Sequence, residues 1–111
     1  MKEFNKNDLS QIFDEVITEY QERIRETVVV DEKTKETVFD IVIKISKLKN
    51  NSTTTIAKLI DYNPENSVVN PLEQGTIASY VKLLCKKLDI QLIPDNSIGG
   101  LAFNNKYKVQ F

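Results

Sequence analysis

Residues 37–45 read Thr37-Val38-Phe39-Asp40-Ile41-Val42-Ile43-Lys44-Ile45, and the fold turns on whether they form a strand or a helix. Six of the nine are β-branched, which favours strand. With Val28-Val29-Val30 ahead of them and a polar turn at Asp31–Glu36, they would complete a β-hairpin. Val38, Ile41, Val42, Ile45 and Leu48, however, sit at i, i+3, i+4, i+7 and i+10 and line one face of a helix. Propensity points to strand, and the elements downstream point to helix. A helix over 35–48 is the expectation, with the hairpin as the alternative.

Upstream, Leu9, Ile12, Phe13, Val16, Ile17, Tyr20 and Ile24 follow helical spacing and form an apolar stripe. The opposite face carries Asp14, Glu15, Glu19, Glu22 and Glu26. Asp8 is placed to cap the amide of Gln11, so an acidic amphipathic helix is expected over 8–27.

Downstream, Lys49-Asn50-Asn51-Ser52 reads as a turn. Ser52 or Thr53 can cap a short helix through Asp61, with Ile56, Leu59 and Ile60 as its buried side. A loop rich in Asn and Pro follows from Tyr62 to Asn70. Asn70-Pro71-Leu72-Glu73 is the best helix start in the chain, because Asn caps, Pro suits the first helical position and Glu73 can reach back to the Asn70 amide. Ile77, Val81, Leu84, Cys85 and Leu88 form the core face of that helix. Gly75 within it costs about 1 kcal/mol relative to alanine, which marks close packing or a break in the first turn. After Leu88 the period changes to two. Ile90, Leu92 and Pro94 end one strand, and Asp95–Gly100 reads as a turn. From Leu101 to Phe111 the odd positions are mostly apolar, while Asn104, Lys106, Lys108 and Gln110 take the even ones. A half-buried strand is expected there, with Asn104-Asn105 as an alternative hairpin tip. The expected fold class is α+β: mainly helical with a C-terminal β-hairpin, in a single domain over 1–111.

The 111 residues, 28% charged and 41% apolar, fit an ordinary globular chain with one modest core. No apolar run approaches the ~20 residues of a membrane span, and Met1-Lys2-Glu3-Phe4-Asn5 does not read as the opening of a signal peptide. A lone Cys85 cannot form an internal disulfide, so the cytoplasm is the expected compartment. One cysteine and no histidine exclude a His/Cys zinc site, a Ser-His or Cys-His nucleophile and an imidazole switch. Asp14-Glu15 and Asp31-Glu32 are neighbours that point apart on a helix and make no acid/base pair. Ser97-Ile98-Gly99-Gly100 lacks the lysine and the strand-to-helix context of a phosphate loop. No enzyme and no cofactor are expected.

Charge is unevenly placed. Residues 1–42 hold 6 Lys/Arg against 11 Asp/Glu, a net of −5, and residues 43–111 hold 9 Lys against 5 Asp/Glu, a net of +4. Such asymmetry suits a second segment that meets a polyanion and a first that meets something else. With 13 lysines against 2 arginines, 10 asparagines and 12 isoleucines, the composition follows A/T-rich codons and suggests a bacterial, plasmid or phage genome.

Helix, turn, short capped helix, loop, longer helix and terminal hairpin is an order that resembles the winged helix-turn-helix DNA-binding superfamily. The resemblance covers about residues 35–111 and is carried by Lys44–Ile60, by Gly75–Ile90 and by the hairpin behind them, with 8–27 as an extra acidic N-terminal helix. The connection from Asp61 to Asn70 is longer than the short turn usual in such domains. The resemblance implies a small double-stranded-DNA-binding protein, a transcriptional regulator or an accessory factor of a plasmid, phage or conjugative element, with helix 71–88 as recognition helix. Setting Ile77 at the centre of the buried face puts Gly75, Ser79, Lys82 and Lys86 opposite, where glycine allows close approach and hydroxyl and ammonium groups meet base edges or phosphates. Asn104, Lys106 and Lys108 would supply the wing. Lys106 and Lys108 have a plainer reading too, as charges that blunt an exposed edge strand. The resemblance also implies a homodimer reading two half-sites, with Leu9, Phe13, Val16, Ile17 and Tyr20 as its contact unless that stripe packs on its own domain. The rival expectation is a protein–protein interaction module on the same scaffold, its partner met through the acidic helix.

Overall fold

The computed structural model describes residues 4–59, 71–94 and 106–111. In chain order these form α1 (Lys6–Ile24), α2 (Glu32–Ser46), β1 (Thr53–Thr55), α3 (Ile56–Leu59), α4 (Pro71–Lys87), β2 (Gln91–Pro94) and β3 (Lys106–Gln110). The result is an α+β fold of three long helices and one helical turn against a small antiparallel sheet.

Residues 37–45 are helical, within α2. Differences in helix propensity among ordinary residues stay within about 0.7 kcal/mol each, whereas burying one Val, Ile or Phe side chain is worth about 1.5–3 kcal/mol. Val38, Ile41, Val42 and Ile45 are all at most 1% exposed, so the packed face outweighs the β-branched bias. The helix starts three residues earlier than the periodicity suggests because Asp31 is its cap. The Asp31 carboxylate accepts the Thr34 amide at 2.7 Å, and these hydrogen bonds hold its pKa below the usual carboxylate range. The expected hairpin alternative, with Val28–Val30 as a strand, is overturned: residues 28–30 are irregular chain between α1 and α2.

The N-terminal helix runs from Lys6 to Ile24 rather than 8 to 27. Its cap is Asn5, whose side-chain oxygen accepts the Asp8 amide at 2.8 Å, so Asp8 is the capped residue and not the cap. The helix stops at Arg25, which takes a left-handed conformation with φ 58° and donates its N–H back to the Gln21 carbonyl.

The turn before α3 carries a strand that the sequence did not suggest. Thr53–Thr55, three β-branched residues in a row, pair with Lys106–Lys108, and the cap of α3 is Thr55, whose hydroxyl accepts the Lys58 amide at 3.1 Å. Ser52 and Thr53 therefore do not cap it. Asn51 enters the strand through a left-handed φ of 68°, which asparagine tolerates, and its amide donates to the Val109 carbonyl. The sheet order is β1-β3-β2, with Leu92 facing Val109 and Pro94 facing Tyr107 across β2 and β3. The terminal hairpin is thus two strands of a three-stranded sheet. β3 lies in its middle, so Lys106 and Lys108 do not blunt an edge. The Asn70 cap, its Glu73 partner contact, the loop 60–70, the turn 95–100 and the strand start at 101–105 lie outside the described residues.

One core joins these elements. α4 packs chiefly on α2, with α1 alongside and β2 following directly after it. Phe13 of α1 meets Phe39 of α2 and Tyr80 of α4 edge-to-face, at 5.5 and 5.7 Å between ring centroids. Leu9, Phe13 and Val16 are at most 4% exposed within this single chain. They are core residues of this chain, packed by its own α2 and α4, which is the alternative to a dimer contact that the stripe left open. Ile17 and Tyr20 remain half-buried at the rim of the stripe.

Candidate nucleic-acid interface

α4 divides cleanly into two faces. Ile77, Ala78, Val81, Leu84 and Cys85 are buried at 3% or less, and Gly75, Thr76, Ser79, Lys82, Lys86 and Lys87 are exposed. The four residues expected on the outer side of this helix, Gly75, Ser79, Lys82 and Lys86, are all there. Between Gly75 and Lys87 the helix carries three lysines and no carboxylate. Most of the described acidic residues sit elsewhere: Asp14, Glu15, Glu19, Glu22 and Glu26 are exposed along α1 and just after it, and Glu32, Glu36 and Asp40 along α2, whereas Asp89 is exposed just past the end of α4.

The individual groups differ in how free they are. A Cβ added at Gly75 would meet nothing within 4 Å, so no internal contact explains a glycine that weakens the helix. Ser79 donates its hydroxyl to the Gly75 carbonyl at 2.9 Å and keeps its oxygen lone pairs for an outside donor. Lys82 Nζ lies 5.2 Å from the centroid of the Tyr107 ring. Lys87 is held by Glu19 at 2.8 Å, and this hydrogen-bonded carboxylate raises its pKa. That pair ties α1 to the end of α4 and takes Lys87 out of the free set, while Lys86 has no ion-pair partner among the described residues.

The sheet supplies the other half. Tyr107 and Val109 point into the core, and the two-residue alternation sends Lys106 and Lys108 to the opposite face of the sheet. Lys106 is exposed and lies across from Thr55; Lys108 is half-buried between Thr53 and Ile93. Lys82 stands over the Tyr107 face. The helix lysines and the strand lysines therefore flank the sheet from its two sides and do not form one flat patch. Asn104 lies outside the described residues.

Between α4 and β2 runs a groove of about 650 Å³, whose lining sets Lys82 and Lys86 beside the exposed Asp89 and the strand residues Ile90–Pro94. No local pattern points to it, since it comes from the close return of the chain after Asp89, which turns through a left-handed φ of 62°. Cys85 is 1% exposed, and burial pushes its thiol up to about 12, the opposite of what a nucleophile or metal ligand needs. No group of three or more His, Cys, Asp or Glu is gathered for a metal ion among the described residues, and no helix there is long and apolar enough to cross a membrane. Compared with protein-family models, with curated proteins and with solved structures, the chain matches none of them.

Proposed function

We propose that this chain is a small duplex-DNA-binding protein with a winged helix-turn-helix layout, in which α4 is the recognition helix and the β2–β3 hairpin the wing. The observation that carries the reading is the outer face of α4 from Gly75 to Lys86: an open glycine, a hydroxyl and two lysines without an ion-pair partner among the described residues, with no carboxylate in that stretch, opposite side chains buried in the core. A helix entering a major groove needs this combination, because close approach, hydroxyl contacts to base edges and ammonium contacts to phosphates are all used there. The order α2, β1, α3, α4, β2, β3 with sheet order β1-β3-β2 supports the layout independently of that face. The concentration of described carboxylates on α1 and α2 also supports it, since between Gly75 and Lys87 a duplex approaching α4 meets three lysines and no carboxylate, with Asp89 just beyond.

A regulatory or accessory role on a bacterial mobile element is the setting that the composition favours. A dimer on two half-sites would have to form away from the buried part of α1. The test is capture of sheared genomic DNA of A/T-rich bacterial origin on the immobilised full chain, followed by sequencing of what is retained. Enrichment of a shared sequence supports the reading. Retention of no DNA at low salt overturns it in favour of a protein partner, a reading to which Val29, 88% exposed beside the groove of Asp31, Thr76 and Tyr80, already lends a surface.

A further inference from the structure

We propose that Tyr107 positions Lys82 as a phosphate contact at the seam between α4 and the sheet. This rests on the DNA-binding reading and adds to it a buried residue that no inspection of the exposed surface would include. Tyr107 is 3% exposed and sits in register between Thr54 of β1 and Pro94 of β2, so its ring is fixed by strands on both sides. Lys82 is exposed on α4 and has no carboxylate within ion-pair range among the described residues. Its ammonium instead lies 5.2 Å from the centre of that fixed ring. A free lysine spreads its charge over many rotamers. The pull of a ring face at an exposed site is worth about a two- to fivefold preference, enough to concentrate the ammonium in one place before any ligand arrives.

That place decides the role. The ring draws Nζ toward the sheet, away from Gly75 and Ser79, which lie about two turns and one turn nearer the start of α4. A duplex laid against both helix and wing presents its backbone at their seam, so Lys82 meets phosphate, and discrimination between base pairs falls to the Ser79 part of the face. Lys86, one turn further on and lining the same groove against β2 together with Asp89, adds a second ammonium.

The experiment is a double-mutant cycle on the full chain, with labelled duplexes of several sequences, anisotropy at three salt concentrations and circular dichroism to check folding. Lys82→Ala should weaken binding equally on every duplex and flatten the log–log salt slope by about 0.9. Tyr107→Leu should weaken wild-type binding by about two- to fivefold and have little further effect once Lys82 is gone. Tyr107→Phe, which keeps the ring face, should bind as wild type. Should Tyr107→Leu fail to fold, proton NMR of the free wild type serves instead: the Lys82 ε-methylene signal must be displaced upfield by the ring current. An ordinary lysine shift, a Lys82→Ala loss confined to one sequence, or independent effects of the two substitutions would each overturn the proposal alone. Absence of wild-type binding to any duplex would overturn the DNA reading and this proposal with it.

Discussion

Gly75 and Cys85 lie ten residues apart on α4, the first exposed and the second buried, and each makes its surroundings testable. With open space where a Cβ would go, Gly75→Ala should stabilise the chain by about 0.5–1 kcal/mol through helix propensity alone. If the glycine serves close approach to DNA, the same substitution lowers affinity while the denaturation midpoint rises; a midpoint rise with unchanged affinity would remove Gly75 from the interface. Cys85 behaves in the other direction. Its thiol stays protonated in the folded chain up to about 12, while the unfolded thiol ionises near 8.5. The folded state therefore holds the extra proton, and stability falls between those two values as pH rises, by about 1.4 kcal/mol per pH unit. A thiol reagent should react only as fast as the chain opens, and Cys85→Ala should remove this part of the alkaline slope. Fast labelling at neutral pH would contradict the burial.

At the scale of elements, the chain shows which local signals survive packing. The stripe of α1 and the core face of α4 were legible because seven or five apolar residues at helical spacing leave one arrangement that buries them. Residues 37–45 were not decided locally: β-branched side chains suit either element, and only the contacts with α1, α3 and α4 favour the helix. β1 was invisible for a related reason. Thr53–Thr55 become a strand because Lys106–Lys108, some fifty residues later, offer an unpaired edge, and no window of sequence contains both. The candidate site shows the same division. The outward direction of Gly75, Ser79, Lys82 and Lys86 follows from helical periodicity, whereas the Lys82–Tyr107 contact, the Glu19–Lys87 pair and the opposed faces of the strand lysines depend on how helix and sheet meet. The aromatic cluster is where three helices are joined, so Phe13→Ala should cost about 3–5 kcal/mol, read as a lower urea midpoint. Phe13→Asp should abolish the cooperative transition. A folded, monomeric Phe13→Asp chain would instead show that Phe13 belongs to an interface between copies.

For the whole molecule, the distribution of charge matters more than its sum. A formal −1 conceals, among the described residues, most carboxylates on α1 and α2 and lysines without an ion-pair partner on α4 and β3, with Asp89 the exception beside α4. A duplex bound through α4 would neutralise one side and leave the acidic helices outward, available to a protein partner. The most direct measurement of that claim is the salt dependence of duplex binding by the wild-type chain and by a Lys82→Ala, Lys86→Ala double variant, followed by fluorescence anisotropy. Each phosphate neutralised contributes about −0.9 to the log–log slope, so the double variant should bind every duplex more weakly and show a slope flatter by about 2. A wild-type chain that binds no duplex at low salt, or a double variant whose slope equals that of the wild type, would contradict the account.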